Sequence, residues 1–580
     1  MTGVKVKKVD DMHANPPGSA ELLLLNGRIW TGMPPGTTAA REVEALAVRE
    51  GRILATGYRD ELQALAGPRT TVIDLEGRRV VPGLVDAHIH AIRAGLTWDD
   101  ELRLGHCLRL DDVLAAIGSR AGQQPAGSWV RVIGGWHPCQ LAERRLPSRA
   151  ELDAVAPDHP VYVQALYDAA VLNSAALAAC GLDGSRGRAF AGDLERDPTT
   201  GQPTGVVRGM LAYPQILARM PRLSFEQQIS STESMLRSLA RLGLVGIVDP
   251  GGIGIRFEQY DPLFELWRRG QLPVRTRVYY SAAEAGGELE QFEALTHYAK
   301  PRFGDDWLRV IGIGEIVHYD WHDRGVLAPH DIPPRAREEF LQISRLAAQR
   351  GWPMHMHAIV EGTVDAVLDA WERVDHEVDL RPLRFSLAHA DAISPEGLQR
   401  ARALGIGIGV QDWLVFKADE AAGHWGDETA ANAPPVRDML DLGIPVAAGS
   451  DSTRASAENP WLSLWWLVTG QSLGGGPRRD PRHRLSRAEA LDLYTRAGAW
   501  FSFDDNRRGT LQPGWLADLA VLSDDFLACD EETIPSLQSE LTLVGGSVAY
   551  AGAAFDGVAG ARHGGVARSP TTTAPPSPVG

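Results

Sequence analysis

Lysine is nearly missing from this chain: 580 residues hold five, Lys5, Lys7, Lys8, Lys300 and Lys417. Arginine supplies the remainder of the 58 basic residues, against 74 acidic ones, for a net charge of −16. That balance, with no basic cluster interleaved with aromatics, argues against nucleic acid or an anionic membrane as the main partner. Cysteine is also scarce. Cys107, Cys139, Cys180 and Cys529 are scattered and form no CxxC pair, which rules against a disulfide framework and a thiolate zinc site. The first 20 residues have no apolar run after their lysines, and the apolar stretch 21–29 is far too short to cross a bilayer. A reducing, cytoplasmic protein without a membrane is expected.

At about 150 residues per domain this length suggests three or four units, unless one large barrel absorbs most of it. The texture favours the barrel. Residues 21–82 read as short β-strands separated by the triplets NGR, EGR and EGR, placed as hairpin turns, and a similar texture returns at 508–555. Two β-rich ends imply one small domain built from both termini. Between them, at 83–507, short apolar runs alternate with amphipathic stretches. Strands are expected near 83–90, 244–249, 273–281, 307–317, 351–359, 384–390, 405–411 and 444–450, with helices such as 362–374 and 394–404 between them. Eight strands alternating with helices specify an α/β fold, a (β/α)8 TIM-like barrel. The gap after the first strand is too long for one helix, so about 100–235 reads as an insertion over the barrel mouth. Residues 1–20 read as a loose N-terminus and 556–580, rich in Gly, Pro, Ser and Thr, as a disordered tail.

The chemistry-bearing residues sit at strand ends. VVPGLVDAHIH (80–90) ends in His88 and His90, two apart and therefore on one face of a strand. WPMHMHAIVEG (352–362) carries His355 and His357, RFSLAHAD (384–391) carries His389, and IPVAAGSDS (444–452) carries Asp451. In a barrel those carboxyl ends converge on one mouth, and imidazoles with a carboxylate suit a divalent cation of the zinc kind.

With PGLVDAHIH, HMHAIVEG, LAHADAISPEGL, VAAGSDS and the closing GTLQPGWLADLAVL in this order, the chain resembles the amidohydrolase superfamily of metal-dependent hydrolases, and within it the group containing N-substituted formamide deformylases. The resemblance spans about residues 21–552 and implies a distorted barrel plus a composite β-sandwich built from both termini, 21–82 with 508–555. It implies metal ligands at His88, His90, His357 and His389, and an eighth-strand carboxylate, Asp451, that touches metal and moves the proton. His355 has no counterpart and reads as a residue behind the ligands or a packing one. Many relatives place a carboxylated lysine on the fourth strand; LRVIGIGEIVHYDWHD (308–323) has none. Glu315 is the natural substitute, with His318 as the alternative, and one or two ions fit this ligand set.

Other departures bear on the substrate. Tyr167-Asp168 stands where relatives carry Gly-His, Gly209 where they tend to carry Glu, Val360-Glu361 where Gly-Asp is usual, and GGWHP (134–138) keeps Trp136 but has His137 in an acidic position. These changes point away from the deformylase pocket. Trp136, His137, Asp168, His318 and His355 are the candidate substrate-binding residues, and Asp168 suits a cationic or amine-bearing substrate. The aromatics Trp98, Trp129, Trp136, Trp321, Trp413 and Trp461 suggest an apolar substrate part. The resulting expectation is hydrolysis of a non-peptide carbon–nitrogen bond in a small amide, formamide or cyclic amidine by metal-bound hydroxide, with one or two divalent ions, zinc by default. A metal-free or regulatory scaffold of the same fold is the alternative, and a homo-oligomer is compatible with either.

Overall fold

A computed structural model describes residues 18–183, 193–210, 212–323, 327–328 and 331–558, and the backbone of Val6 and Lys7. The N-terminal stretch 1–17 and the tail from 559 onward lie outside the described side chains. Of the tail, 556–558 is described, and Val558 is buried with Phe555 in the sandwich core.

Eight parallel strands form the centre: β1 (Leu84–Asp86), β2 (Leu244–Asp249), β3 (Arg275–Tyr280), β4 (Leu308–Glu315), β5 (Met354–Ala358), β6 (Ser386–His389), β7 (Gly407–Gln411) and β8 (Val446–Gly449). Each pairs with the next in chain order. All eight coincide with the expected runs. A parallel strand covered on both faces reads as an unbroken apolar stretch, which is why they were visible. The barrel closes between β8 and β1, where Ala87 N–H donates to Ala448 O at 3.1 Å and Asp451 N–H to His88 O at 2.8 Å. Gly449 permits this closure, because a Cβ there would lie 2.5 Å from His88 N and 2.8 Å from Asp86 Oδ1.

The helices follow the same logic. Glu361–Asp375 buries Val364, Val367, Leu368, Trp371 and Val374, a stripe at helical spacing, against the barrel. Pro395–Leu404 starts where the Ser394 hydroxyl accepts from Gly397 N–H, and stops at left-handed Gly405.

Two further sheets stack around one apolar core that mixes N-terminal Leu22, Leu24, Ile29 and Val80 with C-terminal Leu519, Val521, Leu541 and Leu543. The turns differ from expectation in two of three places. Glu50-Gly51 does join antiparallel neighbours, Ala45–Arg49 and Arg52–Gly57. The turns after Asn26 and Glu76 instead pass the chain from one sheet to the other, since Ala20–Leu25 and Ala66–Asp74 lie in the five-stranded sheet while Arg28–Trp30 and Arg79–Pro82 lie in the six-stranded one. Asn26 and Glu76 adopt φ of 57° and 50°, which redirects the chain without closing a ladder.

The insertion has its own sheet, Val130–Ile133, Val161–Ala165, Ala169–Leu172, Pro203–Arg208 and Asp193–Arg196, with its own core. It ends sooner than residue 235. Helix Phe225–Arg241 already packs on Ala91–Gly95 and Asp261–Arg269 in the barrel's outer layer. Among the described residues no helix is long and apolar enough to cross a membrane.

At the opposite end from the ligands, Asp504 is fully buried and accepts from Arg277 on β3 at 2.8 Å, Arg309 on β4 at 3.2 Å and Arg507 at 2.5 Å. Arg275 pairs with Asp518 at 2.8 Å, tying β3 to the sandwich. Burial opposes the Asp504 charge, but the Arg508, Arg277 and Arg507 guanidiniums outweigh it and hold the carboxyl below its ordinary value. A carboxyl depressed in the folded state stabilises above its unfolded pKa and loses that contribution as pH falls. Asp504→Asn should therefore cost about 3–5 kcal/mol at pH 7, because it strands buried guanidiniums. In urea unfolding, the gap to wild type should narrow as pH falls below ~4, where Asp504 of the unfolded chain begins to protonate while the folded carboxylate stays ionised; a gap independent of pH would refute this account.

Candidate metal centre

The carboxyl ends of β1, β4, β5, β6 and β8 bring His88, His90, Glu315, His357, His389 and Asp451 together, none more than 6% exposed. His90 Nε2 lies 2.9 Å and His88 Nε2 3.6 Å from Asp451 Oδ1. Glu315 faces both sides of the cluster. Its Oε1 is 3.4 Å from His90 Nε2, and its Oε2 is 3.2 Å from His88 Nε2 and 3.7 Å from His357 Nδ1. His389 Nε2 stands 3.9 Å from Asp451 Oδ2. His389 and Asp451 both adopt left-handed backbone, at φ 75° and 52°, a costly conformation for side chains of this size that aims them into the mouth.

Hydrogen bonds behind the cluster fix which ring nitrogen faces inward. A carbonyl only accepts, so His90 Nδ1 donates to Gly251 O at 2.7 Å and its Nε2 lone pair points at Asp451. His357 Nε2 donates to Asp323 Oδ1 at 2.6 Å, which turns its Nδ1 lone pair toward Glu315. His88 is set by a relay. The Ser386 hydroxyl donates to Met354 O and accepts from His355 Nδ1 at 2.8 Å; His355 Nε2 then accepts from His88 Nδ1 at 2.9 Å, leaving His88 Nε2 facing Glu315. The two ligand strand ends are themselves braced by Asp86, which accepts from His88 N–H and from Ser450 N–H and Oγ–H.

These residues fit a divalent cation. His88 Nε2, Glu315 Oε2, His357 Nδ1 and His389 Nε2 are buried and have no hydrogen-bond partner, a costly arrangement unless a cation satisfies them. Burial alone would keep the acids neutral. At Glu315 the imidazoles of His90, His357 and His88, when protonated, prevail over it and hold the carboxyl well below its ordinary value; protonated His88 and His90 do the same for Asp451, and a cation on the ring lone pairs would act in the same sense. Two carboxylates that stay ionised away from water form a site for positive charge.

Other expected residues fall elsewhere. His355 lies behind His88, in the relay. His318 is outside the cluster, its Nε2 donating to Glu339 at 2.8 Å near Glu288, because the chain turns outward after Glu315. Trp136 is fully buried in the insertion core, its indole N–H donating to Gln164 O at 2.9 Å, and does not reach the cavity. Asp168 does line the cavity, but His137 Nε2 at 2.6 Å and Lys417 already neutralise it, which removes the warrant for a cationic substrate. Of the six highlighted tryptophans Trp413 lines the cavity, while Trp321 and Trp461 are core.

Some residues carried no motif. His322 stacks on His357 at 4.0 Å between centroids, 16° from parallel, and burial first, then His357, lowers it to about 3. It groups with Glu315 and His357 as a third possible nitrogen donor. Asp323 beside it orients His357. Both lay in the stretch 308–323, past the strand, where no periodicity marks a side chain as inward. Above the cluster a cavity of about 350 Å³ opens between the barrel and the insertion, walled by Arg93, Tyr167, Met210, Ile253, Trp413 and Lys417.

A family model for the amidohydrolase family matches residues 71–550. The chain belongs to the amidohydrolase family. It is an enzyme of the amidohydrolase type. The amidohydrolase is 26% identical over 556 residues to the N-substituted formamide deformylase of Arthrobacter pascens, covering 91% of this chain and 98% of that protein. It is 26% identical over 551 residues to the protein LONG AFTER FAR-RED 3 of Arabidopsis thaliana, covering 92% of each. Its fold is that of an uncharacterised metal-dependent hydrolase from Pyrococcus horikoshii, at a TM-score of 0.64 and 21% identity over 88% of this chain and 99% of that one.

The relay predicts a role for a residue that touches no ion. His355→Ala should weaken metal binding about 10–100-fold, as removal of a hydrogen-bond partner behind a ligand usually does. Competition with a chromophoric chelator measures it; wild-type affinity in the variant would mean that the relay does not orient His88.

Proposed function

We propose that the amidohydrolase cleaves a non-peptide carbon–nitrogen bond of a small amide, formamide or cyclic amidine. The observation that carries this reading is the set of inward-facing, unsatisfied donor atoms on His88, Glu315, His357 and His389 at the floor of the cavity, beside Asp451. His88, His90 and Asp451 would hold a cation on one side, His357 and His389 on the other, with Glu315 between them. When bound, a divalent cation supplies acidification of water and polarisation of a carbonyl.

The chain's own residues do the rest. Asp451 Oδ2, the oxygen turned away from His90, accepts the proton of the attacking water and then delivers it to the departing amine nitrogen. Its ionised state equips it for the first step. The cavity volume suits a small molecule, and Ile253, Ile359 and Trp413 offer apolar wall against its organic part. The similarity to the formamide deformylase supports a carbon–nitrogen bond, and the departures at Asp168 and Gly209 argue for a different amine portion.

Elemental analysis and amine release test this together. Wild type should carry about two ions of zinc kind per chain, Glu315→Ala one or none, since it removes the shared ligand. Asp451→Asn should lower kcat by about 10²–10⁴-fold on any formamide or amide that wild type hydrolyses, the usual contribution of a positioned acid–base group. A metal-loaded wild type that releases no amine from any of the three substrate classes would overturn the reading in favour of the scaffold.

A further inference from the structure

We propose that Arg93 forms an anion-binding subsite in the cavity wall, so that the molecule cleaved carries a carboxylate. This rests on the hydrolase reading for the bond that is cleaved, but the subsite itself is a binding property.

The charges of the wall differ in one respect. Lys417 is compensated by Asp168 and by Glu420 at 3.4 Å. Arg93 forms no ion pair among the described residues, and its Nη2 is buried without an acceptor. Asp249 lies within Coulombic range of Arg93, but its oxygens are taken, Oδ2 by Ile92 N–H at 2.7 Å and Oδ1 by Gly251 N–H at 2.8 Å.

A guanidinium on the cavity wall whose buried N–H has no acceptor has lost hydration there, and an anion in the cavity restores the missing partner. The planar fork of a guanidinium matches the two oxygens of a carboxylate. Arg93 is held over the Tyr167 ring at 5.9 Å, which limits its swing. It follows His90 by three residues on the short helix Ala91–Gly95, so the anion would be anchored on the His90 side of the centre, with Met210, Ile253 and Trp413 left for an apolar portion. An N-formyl or N-acyl amine bearing a carboxylate fits this layout.

The test compares binding of 3-phenylpropionate and neutral 3-phenylpropan-1-ol to the purified holoenzyme by calorimetry. Wild type should bind the carboxylate about tenfold tighter or better, the worth of one charge-assisted pair in an enclosed site. In R93Q that ratio should fall to near one, and in R93K to an intermediate value. Taking the ratio within each protein cancels any general loss of folded material. No carboxylate preference in wild type, or a preference that survives R93Q because the metal alone holds the carboxylate, overturns the proposal. The hydrolase reading fails separately: an Arg93-dependent ratio in an enzyme that cleaves neither N-formylphenylalanine nor its amide keeps the subsite and rejects the reaction.

Discussion

Two buried carboxylates, Glu315 and Asp451, stand within a ring of imidazoles, and the rest of the molecule is arranged to keep them there. Removing one carboxylate from water is costly; placing two together is costlier, unless positive charge compensates. The protein fixes the direction of the surrounding ring protons and lone pairs, but the inward lone pairs bring no positive charge of their own. Every layer outward serves this direction: carbonyl Gly251 behind His90, Asp323 behind His357, and the Ser386–His355 relay behind His88. The same hydrogen bonds would be unremarkable in a core. Here they leave four inward atoms unsatisfied, which is a state a cation resolves.

Geometry of this accuracy needs a stiff frame. The barrel is tied at its far end by the buried Asp504–arginine network and by Arg275–Asp518, which join β3 and β4 to the chain leading into the sandwich. The sandwich shares its core between the two ends of the chain, so neither end can separate without unfolding it. The insertion closes over the mouth and is held there by Asp168 and Lys417, a pair that spans the insertion and helix Leu414–Trp425. One of the chain's five lysines thus serves as a cross-tie rather than as a ligand.

Much of the frame and most of the side chains that cluster at the barrel mouth were legible in the sequence because they share one physical signature. A parallel strand buried on both faces is a short apolar run, and a functional residue at its carboxyl end follows directly, as in LVDAHIH and AAGSDS. The residues that were not legible come from segments without a period. His322 and Asp323 follow β4 in an irregular loop, Arg93 sits on a five-residue helix, and Lys417 occupies a kinked one. Their roles depend on which neighbours the fold supplies. Asp168 shows the converse: its position in the cavity wall was foreseeable, but its charge state could not be assigned until His137 and Lys417 were seen against it. Trp136 and the turns after Asn26 and Glu76 misled for a related reason, because an aromatic or a turn triplet looks the same whether it lines a cavity or fills a core, closes a hairpin or changes sheets.

The fourth strand shows how a substitution at a ligand is accommodated by backbone. Where the resemblance places a long carboxylated lysine, this chain has a glutamate, whose carboxyl group reaches a shorter distance from its strand. The preceding residue is glycine, and a Cβ at Gly314 would lie 2.1 Å from His355 O on β5. Its absence leaves room for that carbonyl beside Glu315, whose carboxyl group lies within 3.7 Å of His357 and 3.2 Å of His88. A carboxylated lysine must also be formed after folding, by addition of carbon dioxide to an uncharged amine, whereas a glutamate is present and ionised as soon as the barrel closes. The near absence of lysine and the glycine before Glu315 therefore meet at the same place: the chain presents its central carboxylate from an unmodified side chain at the end of β4.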